Sequence, residues 1–332
     1  MTNLKGISFF SGCGGSSMGY KLADVNILYA NEFIPKAVET YKLNFPNTIV
    51  DNRDIRTIQP DEILKKIKLK KGELDFLDGS PPCASFSMAG KRHKNWGQIK
   101  KYSDTKQRTD DLFYEYIRMV KGIQPKIFIA ENVKGLTQGK AKGHFNLFLN
   151  EFNKLGYNVK ASVLNASYLD VPQMRERVFF IGVRKDLKQK PSFPKKKQQL
   201  TAQFVYDKKY PIEDVCWDLK PCYLPHLPKL RMGESATWYF SQLRRNHYYK
   251  PSYTITASYG SGASALHPYE DRWLSIAELK DICTFPPYFK FNGTYRDTCE
   301  RMGRSVPPKM MYNIVKHLKK EIFNENTSKL DF

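Results

Sequence analysis

No run of apolar residues in this 332-residue chain approaches the length needed to cross a bilayer. The opening MTNLKGISFFSGCGG has no charged leader followed by a long apolar stretch and a small-residue cleavage site, so no secretory signal is expected and a cytoplasmic location is. None of the six cysteines, Cys13, Cys83, Cys216, Cys222, Cys283 and Cys299, stands at C-x-x-C spacing, which argues against a zinc site; no metal is expected. There is no internal repeat and no long low-complexity tract. Acidic residues are scarce, 33 against 54 Lys plus Arg, and the formal charge of +21 favours a polyanionic partner, nucleic acid first. Charge alone leaves a Lys-rich bias with no partner as an equal reading. What the chain does have is core material, with 41% hydrophobic and 14% aromatic residues, enough for one large domain or a large one with a small companion.

Up to about residue 184, short apolar runs alternate with longer amphipathic stretches, the pattern of a mostly parallel, doubly wound α/β sheet. The predicted strands are Gly6 to Phe10, Asn26 to Ala30, Asn47 to Val50, Leu74 to Leu77, Lys126 to Ala130, Val159 to Leu164 and Val178 to Val183. The clearest helix is DLFYEYIRMVKGI, with Leu112, Tyr116 and Met119 on one face and an exit through Gly122 and Pro125. From about Lys185 the composition turns to Lys, Gln, Pro and Tyr with weak periodicity, and 185–270 reads as a separate small, irregular domain. Regular patterning returns at Ser275 to Cys283 and at Pro307 to Ile322, so 271–325 is expected to complete the first domain, 1–184.

Two constellations carry chemistry. In the first, a strand runs into Ser11-Gly12-Cys13-Gly14-Gly15, a glycine turn opening a helix, where backbone amides can approach a ligand closely. Glu32, after the second strand, stands where such folds place a carboxylate for ribose hydroxyls. Phe33 beside it can stack on an adenine, and Asp54, after the third strand, can accept from its exocyclic amine. Taken singly, Glu32 and Asp54 read equally well as helix caps.

In the second constellation, Asp78-Gly79-Ser80-Pro81-Pro82-Cys83 presents a thiol on a stiff Pro-Pro turn at the carboxyl edge of the sheet. Glu131, in Glu131-Asn132-Val133, brings a carboxyl group to the same edge, and Gln173-Met174-Arg175-Glu176-Arg177 precedes the last strand of the set with two guanidinium groups. A thiol, an acid and a guanidinium gathered in this way can attack, protonate and hold a polarised ring. Each alone has a structural reading as buried thiol, cap or surface charge.

With FSGCGG, Pro-Pro-Cys, Glu-Asn-Val and Gln-x-Arg-x-Arg in order over nearly its whole length, the chain resembles the DNA (cytosine-5)-methyltransferases of bacterial restriction-modification type. The resemblance implies a Rossmann-like S-adenosylmethionine-dependent methyltransferase fold, with 185–270 as the target-recognition domain. It implies that the Cys83 thiol adds to C6 of a cytosine flipped out of duplex DNA. Glu131 would bond the N3 and N4 edge and Arg177 would hold O2, with Arg175 supporting. S-adenosylmethionine would leave as S-adenosylhomocysteine, from a site lined by Phe10, Ser11, Gly12, Cys13, Gly14, Gly15, Glu32, Phe33, Asp54, Ile55, Pro82, Leu112 and Ser305.

By the same resemblance Ser85, Lys91, Arg92 and Arg108, in the basic loop after Cys83, would contact double-stranded DNA, with phosphate contacts weakened by salt. A solvated basic loop is the other reading of that segment. Lys250-Pro251-Ser252-Tyr253-Thr254-Ile255-Thr256 resembles the motif that supports the recognition domain. Two positions depart from the family pattern: Arg304 stands where Asn is usual before Ser305, and Ala84 where Gln is common after the nucleophile. The implied enzyme is a monomer associated with the nucleoid through DNA, with a separately acting restriction endonuclease as a possible companion. A tRNA cytosine methyltransferase and a non-catalytic DNA-binding regulator are the competing readings. The recognition sequence is not legible, because it depends on base-edge contacts made by loops.

Overall fold

The computed structural model of the protein describes residues 4–82, 100–102, 105–107, 109, 111–210, 219, 221–236, 243–259 and 264–325. Cys83, Ser85, Lys91, Arg92 and Arg108 lie outside the described residues. The chain divides into two compact units, one of Met1–Leu164, Glu176–Pro194 and Tyr312–Phe332, the other of Asn165–Arg175 and Lys195–Met311.

In the first unit, β1 (Leu4–Phe9), β2 (Val25–Asn31), β3 (Ile49–Asp51), β4 (Phe76–Gly79), β7 (Ile127–Val133), β8 (Tyr157–Asn165) and β9 (Glu176–Arg184) form one sheet in the order β3-β2-β1-β4-β7-β9-β8. A short antiparallel hairpin, β5 (Lys100–Tyr102) and β6 (Thr105–Gln107), stands apart from it. The β1/β2, β1/β4, β2/β3 and β4/β7 pairs are parallel and β7/β9 is antiparallel. Helices α1 (Gly15–Leu22), α2 (Pro35–Asn44), α3 (Pro60–Lys66), α4 (Leu112–Ile123) and α5 (Lys142–Lys154) connect the strands. Proline opens α2 and α3, where its fixed φ suits the helix and its missing N–H costs nothing.

All seven predicted strands form. One difference matters for the chemistry. The apolar run ends at Ala130, yet β7 continues to Val133, because Glu131, Asn132 and Val133 pair with Phe179, Val178 and Arg177 of β9. Glu131 is therefore a residue of the ladder and not of the loop after it.

The core beneath the sheet is aromatic. Phe113 of α4 stacks on Phe148 of α5 at 3.7 Å between centroids, and Phe128 of β7 meets Phe152 at 4.2 Å. The periodicity of α4 buries Leu112, Phe113, Tyr116, Ile117, Met119, Val120 and Ile123 on one face. Tyr116 does more than fill space, since its hydroxyl lies 3.0 Å from the Leu77 carbonyl and 2.9 Å from the Ile129 carbonyl, bridging β4 and β7. Its ring needs the absence of a side chain at Gly79, where a Cβ would stand 2.3 Å from Tyr116 Cε2.

The second unit holds α6 (Gln203–Tyr206), the parallel pair β10 (Leu243–Arg245) and β11 (Ser264–Leu266), α7 (Ile276–Ile282) and α8 (Tyr295–Arg304). Ser275 and Glu278 cap α7 reciprocally, as Thr294 and Asp297 cap α8. The compact units divide the chain differently from its composition. The sequence pattern groups 271–325 with 1–184, but 271–311 packs with the second unit. Buried Arg272 binds Glu278, Tyr259 bonds both Ala265 and the Leu274 amide, and Arg245 donates to carbonyls of His267 and Glu270. The division falls inside α9 (Pro308–Phe323), whose later part, through Lys319 Nζ, donates to the Ala23 carbonyl of the first unit.

Tyr116→Phe removes a hydroxyl that joins β4 to β7 while keeping the ring. We expect the unfolding free energy to fall by about 1–3 kcal/mol with an unchanged urea m-value. A loss well under about 0.5 kcal/mol in the urea titration would show that the bridge contributes nothing.

Candidate functional site

Strand order reverses between β1 and β4, with β2 and β3 on one side and β7 and β9 on the other. In open α/β sheets such a reversal leaves a crevice beyond the carboxyl ends of the strands. The ends of β1, β2, β3, β4 and β7 share that edge. Because β9 is antiparallel to β7, its beginning lies there too, and this brings Arg177 alongside Val133.

At the end of β1 the chain turns sharply. Phe10 has φ 53° and Gly12 φ 54°, and Gly14, which caps α1, has φ 97°. Phe10 thus holds a left-handed conformation that disfavours a bulky side chain, the kind of local strain that collects at ligand sites. No atom lies within 4 Å of where a Cβ of Gly12 would be, so its backbone is open to approach. At Gly14 the constraint is steric, since a Cβ would meet Phe45 at 2.4 Å. No side chain caps α1, and its first turn carries no acid. Its amino-terminal dipole and amides are oriented to favour an anionic group.

Glu32 is buried at the end of β2 and braces this turn, accepting the Gly12 amide on Oε2 and the Ile34 amide on Oε1, both at 2.8 Å. Phe33 beside it is partly exposed. Asp54 realises its capping role, because Oδ1 accepts from the Arg56 amide at 3.0 Å and Oδ2 pairs with the Arg56 guanidinium at 2.8 Å. Arg56 also pairs with Asp111 at 2.6 Å, just before α4. Ile55, Leu112, Ser11 and Cys13 are buried and Pro82 partly so. The strand-end residues expected around a cofactor are therefore gathered at one edge of the first unit.

Beyond β4 the Pro-Pro turn is held from its neighbour. Asn132 Nδ2 donates to the Pro81 carbonyl at 3.1 Å, and the Ser80 amide donates to the Phe9 carbonyl at 3.3 Å. The sequence reading assigned no work to Asn132, although strand alternation beside a reactive acid was a usable signal: if one residue faces the crevice, the next faces away. Glu131 and Arg177 meet on the same face as diagonal neighbours across the antiparallel pair, with Nε to Oε1 at 3.0 Å. The Glu131 side chain is 10% exposed and that of Arg177 17%. Burial pulls the Arg177 guanidinium below its ordinary value, and the Glu131 carboxylate opposes that pull. An acid and a fixed donor set side by side, partly dehydrated, suit a planar ring with acceptor and donor atoms along one edge.

The structure separates the two arginines that the sequence groups together. Arg175 belongs to the second unit and is 2% exposed. It donates to the Ile255 carbonyl at 3.0 Å and the Gly303 carbonyl at 2.9 Å, so its guanidinium organises the framework of that unit. Gln173 shares the task, accepting the Ile255 amide on Oε1 at 3.2 Å. Ser252 binds Pro172 and Met174 through its backbone, so the segment 250–256 lies along 172–175. Ser305 also belongs to the second unit and donates to the Arg301 carbonyl at 2.8 Å. Arg304 pairs back along α8 with Glu300 at 2.8 Å.

The family model of the C-5 cytosine-specific DNA methylases matches residues 4–320. The chain is similar to the type II methyltransferase M.NgoPII of Neisseria gonorrhoeae, 31% identical over 96% of both chains. It is similar to M.FnuDI of Fusobacterium nucleatum, 32% identical over 98% of this chain and 97% of that one. Among solved structures it resembles a DNA modification methyltransferase encoded within an E. coli prophage, with a TM-score of 0.76 and 25% identity over 97% of this chain and all of the other.

Glu131→Gln leaves the Arg177 guanidinium facing a neutral amide in a partly dehydrated site. Stability in urea at neutral pH is expected to fall by about 2–3 kcal/mol. A change below about 0.5 kcal/mol would place the pair among solvent-screened surface ion pairs.

Proposed function

The chain belongs to the C-5 cytosine-specific DNA methylases, and from that membership we propose a covalent route in which Cys83 adds to C6 of a cytosine flipped out of the duplex. The observation that carries this reading is the Glu131–Arg177 pair, at the same sheet edge as the Pro81-Pro82 turn that leads into Cys83. The target carbon is unreactive as an aromatic ring position. Addition of the Cys83 thiolate at C6 moves electron density toward O2 and N3, where Arg177 and Glu131 hold the ring edge, and leaves C5 nucleophilic. After C5 is methylated, its proton departs to a base and the thiolate leaves C6, which restores the ring and the enzyme.

S-adenosylmethionine, the donor used by this family, supplies an electrophilic methyl group when bound. The residues at the first sheet edge fit such a molecule. The open Gly12 backbone and the uncapped start of α1 suit its carboxylate, while buried Glu32 and partly exposed Phe33 suit its ribose and adenine. Phe10, Ser11, Cys13, Gly14, Gly15, Asp54, Ile55, Pro82 and Leu112 complete the assignment in the first unit. Asp54 serves through a carboxylate already oriented by Arg56.

Residues 185–270 act as the target-recognition segment, with Arg175 holding its base through Ile255. Ser85, Lys91, Arg92 and Arg108 contact DNA beside the nucleophile. The formal charge of +21 supports double-stranded DNA as the partner. The names of the relatives, type II methyltransferases, support a place beside a separately acting restriction endonuclease. No helix among the described residues is long and apolar enough to cross a membrane.

Labelled methyl donor offered with duplex DNA and with tRNA tests the substrate, and bisulfite sequencing of DNA from expressing cells reads the base and its context. We expect transfer to DNA, and a covalent complex with duplex carrying fluorine at cytosine C5. Cys83→Ser should abolish both. Transfer to tRNA alone would overturn the substrate, and unimpaired transfer by Cys83→Ser would overturn the mechanism.

A further inference from the structure

One buried acid of the first unit has no task in this scheme. Asp78 is the third residue of β4, only 1% exposed, and lies in the strand that leads into Cys83. It stands opposite Ser8 of β1 in the ladder. The Ser8 hydroxyl donates to its Oδ2 at 3.1 Å, and the Ser16 hydroxyl, from the first turn of α1, donates to the same oxygen at 2.6 Å. The other oxygen, Oδ1, is buried without a hydrogen-bond partner among the described residues. Titratable groups face it from four elements: Tyr20 from α1, Tyr41 from α2, Tyr116 from α4 and Glu131 from β7.

A carboxylate here would be dehydrated and repelled by the Glu131 charge, with the Ser8 and Ser16 hydroxyls and the Gly79 amide as its support. A carboxylic acid keeps both serine bonds on its carbonyl oxygen and carries no charge to solvate. Burial pushes the Asp78 carboxyl up to about 7 against the pull of Ser16, Ser8 and the Gly79 amide, and the field of Glu131 adds to the rise.

We propose that Asp78 is a positioning residue for methyl transfer, tying the glycine turn to the strand that leads into Cys83 as a neutral acid, so that its ionisation loosens the cofactor turn. The proposal rests on the methyl-transfer reading. It joins the two halves of the chemistry through one side chain: Ser16 belongs to the segment assigned to the cofactor, and β4 to the segment that presents the nucleophile.

The sign of the stability effect follows from linkage. An unfolded aspartate releases its proton near pH 4, while the folded acid keeps it to about 7, so Asp78 makes the fold progressively less stable as pH rises through that window and no more so above it. Asp78→Asn, a neutral analogue, should lack this component. We expect the thermal midpoint of the full-length variant to gain on wild type between about pH 5 and pH 7, by about 3 °C or more, with the gap level at higher pH.

Calorimetric binding of S-adenosylhomocysteine gives a second readout. The wild-type Kd should rise about threefold or more through pH 7 and that of Asp78→Asn should not. Ser16→Ala, which removes a single donor, should weaken binding about threefold at pH 6. Parallel midpoint curves for wild type and Asp78→Asn, or a pH-independent wild-type Kd, overturn the proposal. Trapping of C5-fluorinated duplex by wild type tests the underlying reading separately: trapping with parallel curves sinks only the role of Asp78, and no trapping sinks methyl transfer itself.

Discussion

The antiparallel attachment of β9 to β7 is the constraint from which the candidate site follows. Had β9 joined the sheet in parallel, Arg177 would begin a strand at the opposite edge, a full strand length from Glu131. Running against β7, it starts where β7 ends, and the diagonal geometry of an antiparallel pair sets Nε of Arg177 3.0 Å from the Glu131 carboxylate. The same pairing stretches β7 past its apolar run to Val133. The backbone of Glu131 is thus fixed by ladder hydrogen bonds instead of by a loop. Asn132, alternating to the other face, holds the Pro81 carbonyl and couples that rigid edge to the Pro81-Pro82 turn.

Around the glycine turn, acids serve the backbone as much as any ligand. Glu32 accepts two amides and Asp54 an amide and a guanidinium, so both carboxylates are oriented by the fold itself. This is economical in physical terms. A carboxylate whose orientation is already set by backbone donors loses little entropy on meeting a ligand. Phe10 and Gly12 keep the turn tight, and α1 begins without a side-chain cap, so its amides remain directed outward.

The second unit shows a different division of labour. Arg175 and Arg177 sit two residues apart in one motif, yet one orders carbonyls of Ile255 and Gly303 in the second unit and the other pairs with an acid in the first. A single motif therefore spans the boundary between the units. This explains why the segment 165–175, which follows a regular strand with no change of composition, belongs with residues far along the chain. Composition detected the irregular stretch from Lys185 onward, but not that α7 and α8 pack with it, because their capping boxes and amphipathic faces read the same in either unit.

What the sequence by itself determined about this protein is the chemistry available and its order. Seven strands were legible from apolar runs, α4 from its period, and the family from FSGCGG, Pro-Pro-Cys, Glu-Asn-Val and Gln-x-Arg-x-Arg, because residue type and local spacing are properties of short segments. The tertiary structure decided which groups meet. That Arg56 is held by Asp111, that Arg175 donates to carbonyls of Ile255 and Gly303, and that Asp78 is buried against Ser8 and Ser16 could not be read from any window of the chain. Partners more than fifty residues apart, as Ser16 and Asp78 are, meet only when strand order and direction are set, and burial, which decides whether an acid keeps its proton, is a property of the assembled core.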